Sequence, residues 1–211
     1  MLSKRFQRGF SLVELIVVVA IMGLLAALAG PELAAWIANS RVRSVAEALQ
    51  NDLRKAQAEA MRRNHQVAFV LTDNQPVAAN VSSVAADAAG RNWLLRVVAT
   101  DAVVNEQATA ATIGGSYFVK GDTIGRQLDI TVKATNAMLC FNSMGRLSQN
   151  VQNTLDGLAL TCAVPTAAAP VQFDIAKTGA DRPLRVTVSL AGQVRMCDPS
   201  KTLSATKPDG C

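Results

Sequence analysis

From residue 15 to residue 29 the chain carries no charged side chain and consists almost wholly of Leu, Ile, Val and Ala. Beyond residue 40 the apolar positions thin to Val42, Val45, Leu49, Leu53, Ala56 and Ala60. Their steps of three and four are the period of one helix face. Arg41, Arg43, Glu47, Asp52, Arg54, Lys55, Glu59, Arg62 and Arg63 are assigned to the other faces. The pattern predicts one helix over residues 10–63, stopped at Asn64, apolar all round in its first half and one-faced in its second. A one-faced helix needs a globular domain to cover it. Pro31, preceded by Gly30, has no backbone donor, so a kink or break is expected there and not an end.

After Asn64 the period shortens. Alternating or β-rich runs occupy residues 66–72, 93–100, 117–120, 128–133, 138–141, 171–175, 184–190 and 193–197. Gly121-Asp122 and Met144-Gly145 read as turns, and residues 76–90 and 165–170 as loops. The fold class is therefore α+β: a long N-terminal helix packed on an antiparallel sheet domain, with no internal repeat. In the last two runs a three-residue loop, Leu190-Ala191-Gly192, with glycine in the left-handed position, pairs Val188 with Val194 and Val186 with Met196 on a buried face. Thr187 then opposes Arg195 and Ser189 opposes Gln193 on the exposed one; a two-residue loop would mix the faces.

The apolar run reaches the roughly 20 residues of a bilayer span only if residues 10–14 are included, and these contain Glu14. Basic Lys4, Arg5 and Arg8 precede it, which orients the N-terminus to the cytoplasm. An acid at the centre of a span costs about 2.5–3.5 kcal/mol and less near an interface, so Glu14 calls for a partner. On the residues alone, two other readings stand: a plain anchor with Glu14 in the headgroup zone, or a secretory signal cut after Ala27-Leu28-Ala29. Against the second, the apolar run passes directly into the helical pattern with no loop between.

Half of the 211 residues are hydrophobic, enough for an anchor and one ordinary core. The net charge of +5 falls to +2 without Lys4, Arg5 and Arg8, so charge alone implies no polyanionic partner. Cys140, Cys162, Cys197 and Cys211 form no CxxC pair, and one histidine, His65, completes no zinc quartet with them. In an oxidising compartment they would form disulfides. Three pairings are open, of which the sequence-local ones, Cys140 with Cys162 and Cys197 with Cys211, are preferred. Trp36 suits an interfacial anchor or a helix contact and Trp93 a core. No enzyme is indicated. His65 follows a helix end, Gly114-Gly115-Ser116 lacks the spacing of a nucleophile elbow, and no phosphate-binding glycine loop with lysine, metal set or cofactor motif is present.

Gly9-Phe10-Ser11-Leu12-Val13-Glu14, behind a basic leader and ahead of an apolar helix with Gly23 and Pro31, resembles the class III leader junction of type IV pilins and type II secretion pseudopilins. "LCFNSMGRL" (139–147) and "LRVTVSLAGQVRMC" (184–197) resemble the C-terminal half of GspH/FimT-type minor pilins and pseudopilins. The resemblance implies a leader over residues 1–9, a transmembrane and polymerisation helix over 10–30, its amphipathic continuation over 31–64 and a β-rich globular domain over 65–211. It also implies cleavage after Gly9 by a prepilin peptidase, methylation of the Phe10 amine, and pairing of Glu14 with the Phe10 amine of a neighbouring subunit. Two charges too costly to leave alone in an apolar bundle neutralise each other only when subunits are in register. The implied protein is a low-copy minor pilin that primes a type IV pilus. It is stored in the bacterial inner membrane by a single pass with its domain in the periplasm, and partners other major and minor pilins. The alternative is a minor pseudopilin of a type II secretion system.

FimT-like relatives also imply DNA binding through a terminal Gly-Arg-x-Arg motif. Here the corresponding residues are Gly192, Gln193, Val194 and Arg195. Gln193 brings no charge, which weakens the electrostatic term, while Arg182, Arg185, Lys201 and Lys207 lie nearby in sequence as compensating candidates.

Overall fold

A computed structural model describes residues 10–81, 83–98, 117–149, 162, 164–166 and 169–211. The leader with Gly9, Gly114-Gly115-Ser116 and the last two residues of the predicted 93–100 strand lie outside the described residues. Helix α1 (Leu12–Arg63) is about 78 Å long at 1.5 Å per residue. It ends at Asn64, whose left-handed φ of 54° halts the helix while its N–H donates to Met61 O. Arg62 and Arg63 in the last turn suit the negative end of the helix dipole. The helix passes Gly30 and Pro31 without a break.

Two four-stranded antiparallel sheets follow. Strands β1 (Val67–Thr72), β2 (Asn92–Val97), β3 (Phe118–Asp122) and β5 (Met138–Phe141) make the first, in the order β3-β2-β1-β5; β4 (Thr131–Ala134), β6 (Val171–Ala176), β7 (Leu184–Val188) and β8 (Val194–Cys197) make the second, in the order β4-β6-β7-β8. A single turn, α2 (Ile124–Gln127), links β3 to β4. Every predicted run holds a strand, with ends shifted by a few residues.

Val42, Val45, Leu49, Leu53, Ala56 and Ala60 of α1 are completely buried and form one core with the inward residues of both sheets, including Phe69, Trp93, Phe141, Phe173, Val186 and Val188. Each buried Leu or Val contributes about 1.5–3 kcal/mol by leaving water. β1 and β2 are buried on both faces, which explains the continuous apolar stretches Val67–Leu71 and Trp93–Leu95 within them. Their outer face carries a second cluster, with Val84 and Cys162 packed over Ala68, Val70, Leu94 and Cys140. The disulfide Cys140–Cys162 pins that cover to β5, and Cys197–Cys211 closes the C-terminal loop onto β8. Both are the sequence-local pairs.

Two expectations are corrected. Gly121-Asp122 is not a turn but the end of β3; a Cβ on Gly121 would stand 1.8 Å from the Pro76 carbonyl oxygen, so the glycine serves a close backbone approach. Asp52 is not on a solvated face but within the core-facing stripe, only 3% exposed.

Candidate functional site

The first half of α1 is where the isolated chain is least satisfied. Phe10, Leu12, Leu15, Ile16, Leu24, Leu28 and Leu33 are all exposed, and the helix is long and apolar enough there to cross a membrane. Ala35 is half-buried and Ala38 is the first buried residue of α1. Glu14 stands in the first turn, where the free N–H groups of the helix favour an anion, and among the described residues no cation pairs with it. A uniformly apolar cylinder with one carboxylate near its tip is a surface that lipid can cover.

The second half of α1 is held by polar bonds that sequence reading missed. The buried Asp52 carboxylate accepts from Trp93 Nε1 at 2.8 Å and from Lys120 Nζ at 2.6 and 2.7 Å. Lys120 also donates to Asp122 at 3.1 Å, and Asp122 accepts the Ile124 N–H at the start of α2. Burial disfavours the Lys120 ammonium, but its bonds to Asp52 and Asp122 outweigh that and raise its pKa above the usual lysine value. The available signal was position: Asp52 lies three after Leu49 and four before Ala56, on the apolar stripe.

Near the domain's helix-exit end, the Asn39 amide receives the loop before β7. Its oxygen accepts the N–H groups of Asp181 and Arg182, each at 3.1 Å, and its nitrogen donates to the Asp181 carboxylate.

The C-terminal hairpin has the expected register, with Val188 opposite Val194, Thr187 opposite Arg195 and Val186 opposite Met196. Gly192 adopts φ 84°, and a Cβ there would stand 2.0 Å from Gly145 O and 2.6 Å from Gln57 Nε2. Gln57 itself donates to Gly145 O at 2.7 Å, so the hairpin tip, the β5 turn and α1 meet at one point.

The candidate cations do not form one free surface. Arg185 Nε donates to Asp174 at 2.6 Å. Arg195 Nη2 donates to the carbonyls of Pro208 and Gly210 at 2.7 and 2.9 Å, clasping the C-terminal loop against β8. Lys201 pairs with Asp198 and Asp209 in the same loop. Its hydrogen bond holds the Asp209 carboxyl below the ordinary value, while Asp198 is lowered chiefly by the hydroxyl and N–H of Ser200. Arg182, Lys207 and Gln193 are exposed. Arg185 lies opposite Cys197, which brings Arg185 and the C-terminal loop to one end of the sheet, whereas Gln193 stands at the hairpin tip on the other.

The anchor-plus-domain plan defines the class as a pilin-like subunit. Two families match the chain: the prokaryotic N-terminal methylation motif over residues 4–30, and Type II transport protein GspH over residues 45–192. The chain belongs to the GspH family, whose members are pilin-like structural subunits. No curated protein is significantly similar in sequence. Among solved structures, the type IV minor pilin FimU of Pseudomonas aeruginosa is similar at 16% identity, with a TM-score of 0.48, over 77% of this chain and 95% of that one. GspH of E. coli is similar at 11% identity, with a TM-score of 0.41, over 79% and 94%.

Proposed function

We propose that the chain is a minor pilin of a type IV pilus, a low-copy subunit that helps to start the filament. It is held by one pass in the inner membrane through residues 10–30 until it is drawn into the assembly. A prepilin peptidase cleaves after Gly9 and methylates the Phe10 amine. Pro31, which removes one helical hydrogen bond, is the point at which the inserted half bends relative to the domain. The observation that carries this reading is the division of α1: its domain half is sealed into a core, while the apolar half around Glu14 is exposed throughout and has no cation to pair with among the described residues. Glu14 meets the Phe10 amine of a neighbouring subunit, and the pair forms only when helices are in register.

A minor pseudopilin of a type II secretion system would use the same N-terminal residues. The two are separated by partner: affinity purification of the full chain after crosslinking in cells recovers pilus subunits in the first case and secretion pseudopilins in the second. DNA contact is a weaker part of the reading. With Arg185, Arg195 and Lys201 engaged within the chain and Gln193 uncharged, the phosphate-binding term rests on Arg182 and Lys207.

A further inference from the structure

A groove of about 490 Å³ opens between α1 and the loop before β7, walled by Glu32, Trp36, Arg43, Asp181, Arg182 and Leu184. Asn39 braces it, since its amide fixes the backbone of Asp181 and Arg182 against the helix, so the cleft needs no ligand to form.

Its height along α1 is informative. The strongly apolar run ends at Ala29, three residues before the first charge at Glu32, and Trp36 follows seven residues after Ala29, roughly 10 Å along a helix. A bilayer's headgroup layer adds about 5–8 Å beyond the hydrocarbon on each side. The groove mouth therefore borders the outer headgroup layer when residues 10–29 fill the hydrocarbon. Trp36, 67% exposed on the groove wall, has the side chain that favours that layer.

Its charge is informative as well. Glu32 and Arg182 line the same cleft with opposite signs, yet among the described residues neither side chain has an ion pair, whereas Arg43 is bonded to Glu47. Unpaired charges of both signs suit a ligand that carries both. A purely anionic headgroup would face Glu32 and Asp181. A quaternary ammonium has no N–H to give a carboxylate. A phosphoethanolamine headgroup offers a phosphate for the guanidinium fork and a primary ammonium for the carboxylate.

We propose that this groove seats the phosphoethanolamine headgroup of a phospholipid in the membrane that holds α1, with Arg182 on the phosphate and Glu32 on the ammonium. The long Arg182 stem lets its charge reach toward the bilayer. The proposal rests on reading α1 as a membrane span, and the seat would steady the domain against the bilayer before assembly.

The test has two parts. Flotation of the full chain with vesicles of phosphatidylcholine alone, with added phosphatidylethanolamine, or with added phosphatidylglycerol asks whether the chain inserts at all. Native mass spectrometry of the full chain in detergent, titrated with each lipid, then asks which headgroup is retained. The expected result is flotation in all three mixtures and retention of one phosphatidylethanolamine about tenfold more tightly than the other two. Glu32→Gln and Arg182→Gln, both at exposed positions, should each remove the preference while keeping the wild-type thermal transition. Flotation without headgroup preference, or a preference that survives both substitutions, overturns the headgroup seat and leaves the span intact. Failure to float overturns both. A photocrosslinker at position 36 that captures another pilin subunit and never lipid assigns the groove to a neighbour and overturns the proposal.

Discussion

Trp93 donates its indole N–H to the Asp52 carboxylate at 2.8 Å, joining the C-terminal quarter of a 52-residue helix to the second strand of the first sheet. With Lys120 on the same carboxylate, the bond fixes the rotation of α1 about its axis, so the exposed half of the helix leaves the domain with one defined face forward.

Asp52→Ala is expected to lower unfolding stability by about 2–4 kcal/mol, because it strands a buried indole N–H and leaves the Lys120 ammonium with Asp122 as its one remaining carboxylate. Asp52→Asn, which keeps an acceptor, should lose less. Denaturant titration of the full chain in detergent measures both. Because the folded Lys120 pKa is raised, its contribution is fully present below the unfolded lysine value of about 10.4 and is lost as pH rises through the folded one.

Arg195 is expected to act as a clasp for the C-terminal loop. Arg195→Ala should cost about 1.5–3 kcal/mol, the range for hydrogen bonds to a charged group, and speed amide exchange at residues 208–211. In an anisotropy titration against duplex DNA it should leave affinity and its salt dependence unchanged. A salt-sensitive affinity abolished by Arg195→Ala would reassign the residue to DNA.

The same loop should loosen in acid. Asp198 and Asp209 both have depressed folded pKa values, so their stabilisation is complete above the unfolded carboxylate range near 3.9 and is lost as pH falls through the folded values. Amide protection over residues 201–211, taken relative to the intrinsic exchange rate at each pH, should fall only below that range and before that of the core strands.

Gly192→Ala should destabilise by at least about 2 kcal/mol, since the added methyl meets Gly145 O and the backbone is left-handed. Thermal unfolding measures it. A neutral result would mean the hairpin tip is not seated on the β5 turn.

Much of this fold is legible in sequence because it is written in periods. The helix face from Val42 to Ala60 and the register of Val186, Val188, Val194 and Met196 follow directly from steps of three and four or of two. Asp52 escaped because a carboxylate at a stripe position was sorted by its chemistry and not by its angle around the helix. Gly121 looked like a turn because the backbone it accommodates, at Pro76, is distant in sequence and has no pattern. The engagement of Arg195 was invisible for the same reason: its acceptors are main-chain carbonyls at 208 and 210, which have no side-chain signature. The exposed apolar half of α1 was legible for the simplest reason, since an uncharged run of that length is itself the signal.

The most direct test of the filament-subunit account is Glu14→Ala in cells that assemble the wild-type chain, with N-terminal mass spectrometry showing cleavage after Gly9 and methylation of Phe10 in both. The account predicts normal membrane levels of the processed variant and a fall of about tenfold or more in its incorporation into filaments, as expected when a buried charge loses its partner. Incorporation equal to wild type would contradict it.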